Sequence, residues 1–106
     1  MLKMVILVHR RSDLDSESFR KYWRETHSQI ARKIPGLRKY IQHHALPSPD
    51  GSPPPYDGIA ELWWDNQEAM EKAFASSEGQ AVFGDIRNFL GPEERTVFRV
   101  DQVTIV

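Results

Sequence analysis

Residues 2–9, LKMVILVH, are apolar on both alternating sets: Leu2, Met4, Ile6 and Val8 on one, Val5 and Leu7 on the other. Successive strand side chains point to opposite faces, so this pattern predicts a central strand covered on both sides. The period then changes. Phe19, Tyr22, Trp23, Ile30, Ala31 and Ile34 recur at steps of three and four, and the charged residues between them mostly occupy the other side. That spacing predicts an amphipathic helix from Ser16 to Lys33, capped by Asp15 or Ser16 and stopped by Pro35-Gly36. Leu37 to Leu46 reads as a second strand. The segment 47–57, PSPDGSPPPYD, is too rich in proline to join a sheet ladder and reads as a hairpin-tip loop. GIAELWW at 58–64 is a third strand. Asn66 caps a helix with Ala69, Met70, Ala73 and Phe74 on one face, and Ser76-Ser77 start a shorter one carrying Val82, Ile86 and Phe89. The β-branched run TVFRVDQVTIV at 96–106 reads as a last strand.

The order β-α-β-β-α(α)-β is the ferredoxin-like arrangement, an α+β fold with a four-stranded antiparallel sheet and helices on one face. One sheet face is left uncovered. Yet the first strand is apolar on both sides, and the third carries Ile59 and Trp63 on one side, Leu62 and Trp64 on the other. An exposed face of that kind is normally an interface, so a symmetric homodimer with the two sheets face to face is expected.

The chain of 106 residues fits one domain spanning 1–106, with room for one core and one pocket. It has no cysteine, which removes disulfides, thiolate metal sites and a cysteine nucleophile, and fits a cytoplasmic address. The apolar start is too short for a signal peptide and no stretch approaches a membrane span, so no membrane association is expected. Residues 1–49 hold ten Lys/Arg and four Asp/Glu, whereas 50–106 hold four and eleven. The two halves neutralise one another on packing, or the basic half attracts an anionic substrate. No basic tract with interleaved aromatics points to nucleic acid.

Candidate chemistry centres on His27, on the apolar stripe between Trp23 and Ile30. A histidine so placed is either a core residue satisfied by a carbonyl or carboxylate, or a shielded group able to move a proton near neutral pH. His43 and His44 are adjacent on a strand and point to opposite faces, so they cannot share a metal within one chain. No HxH or HExxH spacing occurs, and no metal is expected. Glu61 lies on a central strand beside Trp63, as one half of an ion pair or as a base with a raised pKa. Asp85 lies between Val82 and Phe89 on the inner or flanking side of its helix. Trp23, Tyr40 and Trp63 suit a core, an interface or a flat ligand equally. No phosphate-cradling glycine loop, nucleophile elbow or nucleotide fingerprint is present, so no nucleotide or other cofactor is expected.

The string SESFRKYWRETHSQIARKIPGLRKY at 16–40 resembles the signature of the EthD family, named for a protein linked to ethyl tert-butyl ether degradation. The matching residues are Phe19, Tyr22-Trp23, His27, Pro35-Gly36-Leu37 and Tyr40. YDGIAELWWDN at 56–66 resembles its second motif, with Gly58, Glu61 and Trp63, and Asp85 with Phe89 resembles the third. The resemblance implies a dimeric α+β barrel, similar to muconolactone isomerases, polyketide-tailoring monooxygenases and decarboxylases, and some haem-binding proteins. Haem fits poorly, because residues 66–91 contain no histidine. In methylmuconolactone isomerase-like members the residues matching His27 and Tyr40 line a pocket between sheet and helices. The expected function is therefore cofactor-independent, His27-based proton transfer on an aromatic, lactone or related carboxylate. Trp23, Tyr40, Glu61, Trp63 and Asp85 would contact the substrate. The rival is a non-catalytic dimer that binds a small ligand in the same pocket.

Overall fold

A computed structural model of the chain describes residues 1–92 and 95–106. Its elements are β1 (Leu2–Val8), α1 (Ser16–Lys21), a π-helical segment (Tyr22–His27), α2 (Ser28–Ala31), β2 (Lys39–His44), β3 (Gly58–Trp64), α3 (Gln67–Ala75), α4 (Ser77–Ile86) and β4 (Thr96–Val100). The strands form one antiparallel sheet in the order β2-β3-β1-β4. This is the ferredoxin-like α+β architecture, with the doubly apolar β1 and β3 at the centre.

Register divides the side chains between two faces. Met4 pairs with Leu62 and Leu62 with Tyr40, while Ile6 pairs with Ala60 and Ala60 with Gln42. That set faces the helices and, with Phe19, Trp23, Trp64 and Phe89, builds the core. Lys3, Trp63 and Lys39 form one row of the opposite face; Val5, Glu61 and Ile41 form the next, and Leu7, Ile59 and His43 the third. Ile59 and Phe98 on this outer face are 37% and 49% exposed, because the described helices pack on the opposite face.

The caps follow the sequence. Asp15 accepts from the Ser18 amide, Asn66 from Ala69 and Ser76 from Gly79, each relieving an orphan donor of a first turn. Gly36, at φ 71°, turns the chain out of the first helical rod. Tyr56 stacks on His9 at 4.6 Å and the Asp57 amide donates to Val8 O at 2.9 Å, anchoring the end of the proline-rich loop beside β1.

Two expectations are corrected. The first helix is not α throughout: six residues at its centre, Tyr22–His27, form a π-helix. The last strand ends at Val100, paired with Lys3 near the start of β1, and residues 101–106 form no ladder. Val103 and Ile105 there are 72% and 85% exposed, so β-branched composition alone does not make a strand without a neighbour to pair.

Gly58 opens β3 directly beneath Trp23. A Cβ at that position would collide with the indole ring and lie 2.9 Å from the His43 carbonyl oxygen. Gly58→Ala is therefore expected to cost about 1–3 kcal/mol and to displace Trp23, the cost typical of overpacking. Urea unfolding with unchanged stability would contradict this contact.

Candidate functional site

Between the sheet and the helices lies a cavity of about 230 Å³. Met4, Ile6, Val8, Ala60 and Leu62 form its floor, and Trp23, Phe74, Ile86 and Phe89 its walls. Phe83 and Val97, 44% and 49% exposed, mark its open side with Arg95. His27 and Tyr40 are the polar groups of its interior.

His27 is 6% exposed. Its Nδ1 lies 2.7 Å from Asp85 Oδ2, and no hydrogen bond to Nε2 occurs among the described residues. The Tyr22 hydroxyl donates to Asp85 Oδ1 at 2.6 Å, and Asn88 Nδ2 donates to the same oxygen at 2.9 Å. Burial works against ionisation of Asp85, but the bonds from Tyr22, Asn88 and His27 outweigh it and hold the carboxyl below its ordinary pKa. An ionised Asp85 only accepts, so Nδ1 carries the hydrogen and the Nε2 lone pair is left. Burial lowers the His27 pKa below its ordinary 6.5, and Asp85 opposes that shift without cancelling it. The ring is therefore neutral at pH 7.

The π-helical segment explains how one carboxylate serves two residues of the same helix. Tyr22 and His27 are five apart, about 140° around an ordinary α-helix. The wider turn, with its i to i+5 bonding, brings such positions toward one side. Both side chains then reach Asp85 on α4.

Tyr40 projects from β2. Gln42 Nε2 donates to its hydroxyl at 2.8 Å and to the Trp23 carbonyl at 2.9 Å. His44 Nε2 meets Gln42 Oε1 at 2.9 Å, and the His44 ring packs on Trp23 at 4.6 Å. Burial raises the Tyr40 pKa, and the hydrogen bond from Gln42 opposes that rise.

His27, Trp23 and Tyr40 thus meet at one cavity. Asp85 stands behind His27 and does not line the cavity. Glu61 and Trp63 are corrected: odd-numbered positions of β3 point away from the helices. Glu61 pairs there with Lys3 and, at 2.5 Å, with His43 Nε2, while Lys3 and Lys39 lie over the Trp63 ring at 4.7 and 5.1 Å. Lys3 holds the Glu61 carboxyl below its usual range, the reverse of a base with a raised pKa. Sequence reasoning gave no site role to Tyr22, Gln42 or Asn88. Asn88 was legible only as the residue three after Asp85, and Gln42 as sharing a strand face with Tyr40.

The pattern of the EthD domain family matches residues 11–93. A protein of 11.0 kDa from the thcB-thcC intergenic region of Rhodococcus erythropolis is 27% identical over 92 residues, 87% of each chain. Among solved structures, an ethyl tert-butyl ether degradation (EthD) family protein from Bacillus halodurans superposes with a TM-score of 0.80 at 26% identity, over 97% of this chain and 99% of that one. A dimeric ferredoxin-like protein from Thermobifida fusca superposes with a TM-score of 0.72 at 15% identity, over 95% and 90% of the two chains.

Proposed function

The chain belongs to the EthD domain family, and on that premise we propose that it is a cofactor-independent proton-transfer enzyme acting on an aromatic, lactone or related small carboxylate. One observation carries the reading. His27 is held through Nδ1 by an ionised carboxylate, while its other nitrogen has no described partner and the ring lines an apolar cavity. A purely structural histidine would be satisfied at both nitrogens. In the reaction His27 Nε2 takes a proton from an acidic carbon of the bound ligand. The electron pair moves onto the adjoining oxygen, which Tyr40 stabilises, and the imidazolium held by Asp85 returns the proton to the same or a neighbouring carbon. Trp23 and Phe89 exclude water, and Arg95 brings positive charge to the open side.

The test is solvent-deuterium incorporation into a panel of small aromatic and lactone carboxylates, followed by NMR. Incorporation above the buffer rate that depends on His27 supports the enzyme. Binding without incorporation supports the rival, a ligand-binding dimer. Because the base is the neutral ring, the rate is expected to rise with pH through the lowered His27 pKa, below 6.5, and to be flat at neutrality. An acid limb centred above pH 7 contradicts the assignment. The same shift makes stability fall as pH drops below about 6.5, since the unfolded histidine then binds a proton the buried one refuses.

The working unit proposed is a homodimer of this domain, 1–106. Support comes from the apolar outer face, with Val5, Leu7, Ile41, Ile59 and Phe98, and from the dimeric Thermobifida fusca relative in fold.

A further inference from the structure

We propose that Gln42 and His44 fix the direction of Tyr40's hydrogen bond, so that the cavity presents one O–H donor and one imidazole acceptor and selects a single-ring compound bearing an accepting oxygen. The inference rests on the cavity being the ligand site and adds the ligand's chemistry and two positioning residues.

The polarity starts at a peptide carbonyl. Trp23 O can only accept, so the Gln42 atom at 2.9 Å from it is the amide nitrogen. Oε1 then faces His44 Nε2 at 2.9 Å, which must carry a hydrogen. The second Nε2 hydrogen of Gln42 goes to the Tyr40 oxygen at 2.8 Å. Gln42 is thus a donor to the Tyr40 oxygen, and the Tyr40 hydrogen finds no acceptor among the described residues. It is available to whatever occupies the cavity. The His44 ring donates from Nε2 to Gln42 whether neutral or protonated, so this bond keeps its direction; burial, then Arg20 and Arg24, lower the His44 pKa. The other polar group of the interior, His27, offers the lone pair fixed by Asp85.

Size completes the description. A cavity of about 150 Å³ accommodates benzene. At about 230 Å³ the space here suits about nine non-hydrogen atoms, one ring with a short oxygen-bearing substituent. The ring packs among Trp23, Phe74 and Phe89, and the oxygen, a ketone, lactone or carboxylate, accepts from Tyr40.

Acetophenone and α-methylstyrene test this directly, since they share shape and differ in C=O against C=CH2. Their affinities for the full chain are measured by NMR titration. The preference for acetophenone over α-methylstyrene is expected to fall about tenfold in both Tyr40→Phe and Gln42→Glu, with α-methylstyrene affinity unchanged. Phenylalanine removes the donor; the carboxylate of Gln42→Glu captures the Tyr40 hydrogen. In Gln42→Glu the His44 titration should also move to higher pH, a change that a merely structural glutamine would not produce. A preference unmoved in either variant, an unshifted His44, or no binding of either probe overturns the proposal. Tyr40→Phe keeps the ring packing and decides the matter if Gln42→Glu does not fold. A protein that binds with the expected preference but exchanges no deuterium leaves this inference standing and removes the catalytic reading.

Discussion

His27→Gln is expected to leave a folded protein whose deuterium incorporation is about 10²–10⁴-fold slower, the range for loss of a positioned acid–base group. Glutamine keeps a polar group near Asp85 but has no titratable nitrogen. Asp85 retains Tyr22 and Asn88 as donors, so the stability cost should stay within about 1–3 kcal/mol. A variant that unfolds at much lower urea and retains its exchange rate would make His27 structural. Asp85→Asn separates positioning from catalysis. It leaves the imidazole in place but removes the charge that raises its pKa and the acceptor that fixes its tautomer. The rate should fall, and the acid limb of the pH profile should move further down. A limb that stays put would mean that Asp85 does not govern His27.

The second large effect concerns the outer sheet face. Ile59→Asp is expected to convert a dimer into a folded monomer, read by light scattering at micromolar concentration. Ile59 lies between Leu7 and His43 on the face the helices leave uncovered, and it is 37% exposed. One protomer therefore accommodates a carboxylate there beside water. A dimer that packs this face buries above about 1,200 Å² in total and would have to bury two such charges across its two-fold axis. The dissociation constant should rise by about 10²-fold or more. Wild-type protein that remains monomeric at these concentrations would remove the dimer itself. The Lys3–Glu61–His43 cluster belongs to the same face: Glu61 is already neutralised by its neighbours, as a carboxylate must be to enter an interface.

Much of the fold was legible because it rests on short-range rules. The doubly apolar LKMVILV predicted a central strand, and it sits at the centre of the sheet. Asp15, Asn66 and Ser76 all cap as their residue types predict, because capping involves only the next three residues. The stripe through Trp23 and His27 also read correctly, and it delivered the cavity histidine. Glu61 and Trp63 were different. Their shared face was legible from alternation, but not which face the helices would cover. Both β3 faces are apolar, so period two alone cannot choose between them.

The partnerships at the site belong to tertiary structure. Asp85 is 58 residues from His27 and 63 from Tyr22, and no local pattern links them. Their meeting depends on α4 packing against the first helical rod and on a π turn that ordinary 3.6-residue periodicity does not anticipate. The end of β4 was decided in the same way. TVFRVDQVTIV has strand-forming residues throughout, but a ladder needs a neighbour, and the sheet supplies one only as far as Val100. The sequence by itself determined the order and type of the elements, their caps and the candidate histidine, but not the π turn or the end of β4, since the former follow from residue type and spacing. Only the folded chain decided which sheet face encloses the cavity and which carboxylate holds the imidazole, since those contacts join segments far apart along it.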